Sequence, residues 1–456
     1  MIFELDGTQK EAIKAICDWF VKRDKKYFVL AGRAGTGKSS IVRNAVENLA
    51  LGEGELAFIA PTGKASMVMR KKGIPSATTM HKLIYIPIEK NDKEETAKIP
   101  LFNFPKIKDI VDSINDGVPV EEALQDSKNE AVASSNKNKM IQDLKNNVTF
   151  KKRLKEEIRD FKLIICDEAS LLNDEQIADL ESYDIPVIYI GDHHQLPPVD
   201  GSNSRISSPD FVLETIHRQD GDSGIIKLAS SILDTNEAVR NITRFSNDFS
   251  DENEDVEFIG IDEFINDFPY FALEYPDQII CSTNRLKDAI NACCRTVVGH
   301  KGAIPVIGDR LMCTRNNYEK SLINGLQGVV QDILDVDMSK AGMTINFLTE
   351  NEELFKDIRV SLIPFFPPGT FNESLLNYQK KSKAAIDYFD FGYACTVHKS
   401  QGSEWDKVLY VQSFSHASIL RSMHYTAVTR AAKSIKITDM LNNDAIAELE
   451  FRGRDK

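Results

Sequence analysis

The chain reads as an α/β protein of the doubly wound kind, organised around a phosphate-binding loop. Three observations predict this. Strand-length apolar runs alternate with helical patterns through the first 84 residues. The run "YFVLAG" (27–32) leads directly into "AGRAGTGKSS" (31–40), which fills the pattern G-x-x-x-x-G-K-[ST]. Two later apolar runs, "FKLIICDE" (161–168) and "IPVIYIGD" (185–192), end in acidic residues, as strands do beside such a loop.

The elements follow in order. Residues 8–22 place Ala12, Ile13, Ile16, Trp19 and Phe20 on one helical face. "YFVLAG" and "LAFIAP" (56–61) are apolar on both faces of an extended chain, the signature of buried parallel strands. Between 85 and 158 the periodicity lapses. "EKNDKEETAKIPLFNFPKIKD" is charged and contains prolines, and residues 134–160 are Lys-rich with a helical pattern. This stretch is too long for a bare loop and predicts an inserted subdomain. Residues 248–267 carry nine Asp/Glu and no Lys/Arg, which predicts a solvated surface. Residues 303–390 mix short strand patterns with Gly, Asn and Pro turns and predict a small β-rich insertion. From 391 a buried strand returns ("KVLYVQ", 407–412), with a helix after it.

Composition narrows the functional classes. Apolar residues at 42% and charged residues at 27% exclude disorder of the whole chain. The formal charge of −13 argues against coating nucleic acid by bulk charge, but it leaves room for a local basic channel. No run approaches the roughly 20 apolar residues a membrane span needs, and no secretory signal is visible at "MIFELDGTQK". The seven cysteines are scattered and never form a C-x-x-C pair, which predicts reduced thiols in a cytoplasm. His193 and His194 are adjacent and expected to point apart, so no shared metal is expected there.

The chemistry concentrates in three places. In the glycine-rich loop, Gly32, Gly35 and Gly37 let consecutive N–H groups face phosphate oxygens, with Thr36 and Ser40 beside them. Lys38 reaches the β- and γ-phosphates, and the Ser39 hydroxyl ligates Mg²⁺. In "LIICDEAS" (163–170), Asp167 is expected to hold the magnesium shell, and Glu168 to orient and deprotonate the attacking water. In "YIGDHHQLPPVD" (189–200), Gln195 is placed to sense the γ-phosphate or to position water.

Taken together, "AGRAGTGKSS", "APTGKAS" (60–66), "TTMHKLI" (78–84), "IICDEAS", "IGDHHQLPPV", "ETIHRQ" (214–219), "TVHKSQGSEWD" (396–406) and "YTAVTRA" (425–431) resemble the motifs of superfamily 1 helicases. More narrowly, they resemble the RecD/Dda-type branch that translocates 5′ to 3′ on DNA, and size favours a small phage-type member. The resemblance implies two RecA-like P-loop NTPase domains that bind ATP and Mg²⁺ between them. The first would comprise 1–84 and 159–216, and the second 217–302 and 391–456. It also implies a duplex-splitting pin subdomain at 85–158, with Phe102 and Phe104 as the pin tip, and an SH3-like β subdomain at 303–390.

Residue by residue, Gln9 matches the glutamine that reads adenine, and Arg218 and Arg430 match arginines directed at the γ-phosphate. Thr62, Lys64, Thr79 and His81 lie in motifs that contact the DNA strand, where they would donate to phosphate oxygens; local capping is the alternative. His398, Lys399 and Gln401 lie in the motif linking nucleotide and DNA sites, and Trp405 is the stacking candidate. The implied partners are single-stranded and forked DNA, with a single-strand-binding or replication protein. The implied state is a monomer in the cytoplasm, that of the host if phage-encoded. An RNA-directed helicase of the same superfamily, and an ATP-switched remodeller that does not unwind, are the competing readings. The Lys-rich 134–160 segment carries eight Lys/Arg against four Asp/Glu, which predicts a narrow basic track on an acidic body.

Overall fold

The computed structural model describes residues 5–87, 150–198, 201–215, 223–235, 239–249, 255–317, 320–366, 370–371, 375–376, 379, 386–413, 418–440, 446–447 and 449. The chain forms two compact units, one of residues 1–86, 152–283 and 396–441, the other of 87–151, 284–395 and 442–456. The proposed pin tip, Phe102 and Phe104, and the Lys-rich run up to residue 149 lie outside the described residues, as does Arg218.

The first unit opens with helix α1 (Gly7–Lys22), which buries Ala12, Ile13, Ile16, Trp19 and Phe20, the face its periodicity predicts. Asp6 caps it: its carboxylate accepts the Gln9 N–H at 2.6 Å while the Gln9 side chain accepts the Asp6 N–H at 3.2 Å. Strand β1 (Tyr27–Gly32) follows, then α2 (Lys38–Asn48), β2 (Leu56–Ala60), α3 (Gly63–Lys71), β3 (Thr78–Thr79) and α4 (Met80–Ile84). Beyond the insertion come β4 (Leu163–Cys166), α5 (Asp174–Glu181), β5 (Val187–Gly191) and β6 (Phe211–Leu213). These six strands form one parallel sheet in the order β3-β2-β4-β5-β1-β6.

The period of two along each strand sorts its side chains between the two faces. Phe28, Leu30, Leu163, Ile165, Ile188 and Ile190 pack against α1 and α2. Their neighbours Val29, Ile164, Cys166, Val187 and Tyr189 pack on the other face with Met80, Ile84, Ile177 and Leu180. Burying each such side chain stabilises the fold by about 1.5–3 kcal/mol. This sheet fixes the ends of β1, β4 and β5 side by side, which places three candidate loops along one edge. The ends of the insertion are tied down here too. The Arg153 amide donates to the Ile84 carbonyl at 2.8 Å, and the Tyr183 hydroxyl donates to the carbonyls of both residues at 2.9 Å.

A second parallel sheet belongs to the same unit. After α6 (Gly224–Asp234) come β7 (Val256–Phe258) and β8 (Gln278–Cys281). The acidic 248–267 stretch is therefore not a simple solvated face. Phe249, Val256, Phe264 and Ile265 are buried, and Asp255 caps α6 by accepting from the Gly224 N–H at 3.0 Å and the Ser223 hydroxyl at 2.7 Å.

The other unit contains β9 (Arg310–Cys313), β10 (Gln327–Asp337), β11 (Gly342–Thr349), β12 (Leu354–Ser361) and β13 (Phe389–Phe391). They pair antiparallel in the order β12-β11-β10-β9-β13. The Asn284–Val297 helix groups with this unit. Its buried Arg295 donates to Asp309 through Nε and Nη2, each at 2.9 Å.

The chain re-enters the first unit through α7 (Val397–Ser400), β14 (Trp405–Gln412), α8 (Leu420–Val428) and β15 (Ala431–Asp439). There β8, β14, β15 and β7 pair in that order, all parallel. Six of the seven cysteines are buried.

Candidate nucleotide site

The glycine-rich loop crosses from β1 into α2. Gly35 and Gly37 take positive φ of 83° and 79°, the left-handed conformation that suits glycine. Gly32 is fixed by space, since a Cβ there would meet Thr36 Oγ1 at 2.7 Å and the Leu213 carbonyl at 2.9 Å. Lys38 Nζ donates to the carbonyls of Gly32 and Arg33 at 2.8 and 2.9 Å, so its ammonium lies over the loop. Thr36 is buried and donates to the Arg33 carbonyl at 2.9 Å, while Ser40 is exposed. A Cβ on Gly37 would sit 3.1 Å from Gln9 Nε2, so Gln9 reaches the loop from α1 with its amide nitrogen.

The acid pair stands beside it. Ser39 Oγ donates to Asp167 Oδ2 at 3.0 Å, and Asp167 Oδ1 accepts the Glu168 N–H at 2.9 Å. Glu168 follows β4 in the left-handed region, at φ 53°, which turns its side chain away from the strand direction. Burial raises the pKa of its carboxyl, and Asp167 and Asp192 push the same way, against Arg430 and Lys38, which favour the ionised form. A buried carboxyl set among opposing charges is a candidate for proton transfer.

The third loop leaves β5 at Asp192. Asp192 Oδ1 accepts the His194 N–H at 3.0 Å and Oδ2 accepts the Tyr425 hydroxyl at 2.7 Å. Gln195 is buried, and its Oε1 has no hydrogen-bond partner among the described residues. An orphaned acceptor of this kind is costly unless it serves a function. The rings of His193 and His194 lie 3.9 Å apart, so they face one another and do not point apart as expected. Burial, reinforced by His193, holds His194 down to about 4, so it is neutral at neutral pH.

Residues of the second sheet complete the site. Arg430 is buried, and its guanidinium donates to the Thr426 and Ser403 carbonyls at 3.0 Å and to Thr429 Oγ1 at 3.2 Å. Gln401 Nε2 donates to the Leu196 carbonyl at 3.0 Å, and the Leu196 N–H donates to Thr426 Oγ1 at 2.9 Å. Arg33 pairs with Asp234 of α6 at 2.8 Å. The sequence reasoning did not single out Asp192, Tyr425 or Thr426, although all three lie in the quoted motifs. Asp192 is the first polar residue after the wholly buried β5, and that was the signal available.

The strand-contact candidates divide. Thr62 and Thr79 cap α3 and α4 by accepting the Ala65 and Lys82 N–H groups, each at 3.2 Å, so each has the local capping role set against DNA contact. Burial lowers the pKa of His81 and His398, which leaves them as neutral donors. The Lys399 N–H donates to Thr396 at the start of α7. Trp405 departs from the expectation of an open stacking surface. It is buried, and Lys64 Nζ lies 4.4 Å from its ring centroid, a cation–π contact that covers the face. Gly402, at φ 72°, lets this segment approach α3, where a Cβ would lie 3.2 Å from Ala65 Cβ.

Residues 4–248 match the AAA domain family, more than half of the chain. The chain belongs to this family. Residues 391–437 match the UvrD-like helicase C-terminal domain. The ATP-dependent RecD2 DNA helicase of Deinococcus radiodurans is 26% identical over 293 residues, covering 59% of this chain and 35% of that protein. The matched region thus spans about a third of the relative. Among solved structures, Pif1 helicase from Candida albicans is 16% identical with a TM-score of 0.48, covering 99% of each chain. Bacteroides Pif1 bound to single-stranded DNA is 16% identical with a TM-score of 0.47, covering 98% of this chain and 96% of that one.

Proposed function

We propose that the protein is an ATP-dependent DNA helicase that moves 5′ to 3′ on single-stranded DNA and splits duplex. Hydrolysis of Mg-ATP would take place between its two RecA-like sheets. The observation that carries this reading is the convergence of Lys38, Ser39, Asp167, Glu168, Gln195 and Arg430 on one edge of the first sheet. The second sheet supplies Gln401, Tyr425 and Thr426 to the same loops.

The chemistry follows from the groups present. The loop amides and Lys38 hold the phosphates, and Gln9 sits where it can contact the base. Ser39 and Asp167 would hold magnesium, whose charge offsets that of the phosphate oxygens. Glu168 takes the proton of the attacking water, and the orphaned Gln195 Oε1 accepts that water's second hydrogen. Arg430 lies close enough to Glu168 to favour its ionised form, so its charge acts where the γ-phosphate sits. Arg218 is assigned the partner role by sequence alone. A protein that used ATP only as a switch would not need this water-handling set, which favours turnover.

The RecD2 relative is named as a DNA helicase, which supports DNA over RNA as the strand. Lys64 and Lys399 supply positive charge for a single-strand track. The test is ATP turnover with and without single-stranded DNA, using Lys38→Ala as control. Turnover stimulated by DNA in the parent and lost in a folded Lys38→Ala variant is expected. Near-normal turnover in that variant contradicts the assignment, and stimulation by RNA alone moves the protein to the RNA-directed class.

A further inference from the structure

The hydroxyl of Tyr425 makes two bonds to the first sheet, to parts of the nucleotide site that are far apart in sequence. It donates to Asp192 Oδ2 at 2.7 Å and accepts the Ala34 N–H at 3.1 Å. Ala34 lies in the phosphate loop between Arg33 and Gly35, so its amide belongs to the set available to a phosphate oxygen. Asp192 opens the loop that carries Gln195. Tyr425 itself sits in α8 of the second sheet and is 1% exposed.

The neighbours of this contact show what it controls. Thr426, the next residue, accepts the Leu196 N–H, and Gln401 donates to the Leu196 carbonyl. The loop 192–196 is therefore held at its start by Tyr425 and at its end by Thr426 and Gln401. Gln195, with its unsatisfied Oε1, lies between these two anchors. Phosphate loop, water-handling loop and second sheet meet at one phenolic oxygen. Burial, and then the charge of Asp192, keeps that phenol protonated, so it remains a donor to the carboxylate.

We propose that Tyr425 is a positioning residue that makes the seating of the second sheet a condition for aiming Gln195 and for setting the Ala34 amide. The inference rests on the helicase reading above and adds to it a route from strand contact to water activation. The hydroxyl touches no reacting atom. Its effect passes through Asp192 to Gln195 and through Ala34 to the phosphate cradle.

The experiment is steady-state ATP turnover of the full chain and of Tyr425→Phe, with and without single-stranded DNA, together with Asp192→Asn and the double variant. Phenylalanine keeps the buried ring and removes only the oxygen. A fall of at least tenfold in kcat with DNA is expected, with KM for ATP changed less than twofold, because the loop still binds phosphate. The double variant should be no slower than the slower single variant, since each single variant already perturbs the shared Tyr425–Asp192 bond. DNA-stimulated kcat within twofold of the parent in Tyr425→Phe overturns the inference. So do losses that multiply in the double variant, and so does a loss of kcat that tracks a lowered melting temperature. No turnover in the parent overturns the helicase reading and this inference together. A turning-over parent with an unaffected Tyr425→Phe variant overturns this inference alone.

Discussion

Replacing Glu168 by Gln separates chemistry from stability. The two side chains have nearly the same volume, and the Asp167–Ser39 bond beside them does not involve the Glu168 carboxyl. Loss of a general base costs about 10²–10⁴ in rate. At 1.36 kcal/mol per tenfold, that is about 2.7–5.4 kcal/mol of transition-state stabilisation. ATP binding should persist, because Lys38, Ser39 and the loop amides are untouched. Stability should move the other way. Burial raises the carboxyl's pKa in the folded protein, so its ionisation opposes folding. Below the unfolded pKa of about 4.3 the acid is neutral in both states, and this opposition is absent. As pH rises through the folded value the parent loses stability that the Gln variant keeps. The melting temperature of Glu168→Gln relative to the parent should therefore increase as pH rises above the unfolded value. Thermal unfolding across that range, paired with DNA-stimulated ATP turnover at neutral pH, reads both effects. Turnover within threefold of the parent refutes the base assignment. A variant less stable than the parent at every pH refutes the account of the carboxyl's environment.

Two further outcomes follow from packing. Gly32→Ala puts a methyl group against the Leu213 carbonyl and Thr36, which cannot both retreat, so overpacking of about 1–3 kcal/mol and at least tenfold weaker ATP binding are expected. Equilibrium binding of a fluorescent ATP analogue checks this, and unchanged affinity would show that the loop has slack. In the β-rich unit, Asp309→Ala strips the acceptor from Arg295, from the Tyr393 hydroxyl at 3.0 Å and from the Val306 N–H at 2.8 Å. Leaving that guanidinium buried and unpaired should cost about 3–5 kcal/mol in urea unfolding, and an unmoved midpoint would contradict it.

The first sheet was legible because its strands are apolar on both faces, so a short run such as "VIYIG" admits few other readings. Helix α1 was legible because its buried face repeats at helical spacing. Strand β7 was not, since Val256–Phe258 is three residues long inside an acidic run, and charge outweighed pattern there. The phosphate loop and acid pair were legible because each is contiguous and its chemistry demands particular residue types. Tyr425 and Thr426 were not, because their roles depend on partners about 230 positions away, which no local period encodes. The burial of Trp405 was hidden for a related reason. Trp405 opens β14, where the partner strand and Lys64 cover it, and sequence does not show which face of an aromatic is left open.

Strand displacement on tailed duplexes in the presence of ATP and Mg²⁺ tests the central claim most directly. The account predicts that a duplex with a 5′ single-stranded tail, or a fork, is unwound and that one with only a 3′ tail is not. It also predicts that the activity disappears in Lys38→Ala. No unwinding of either substrate by an ATP-hydrolysing parent would contradict the helicase claim, and unwinding from the 3′ tail alone would contradict the direction.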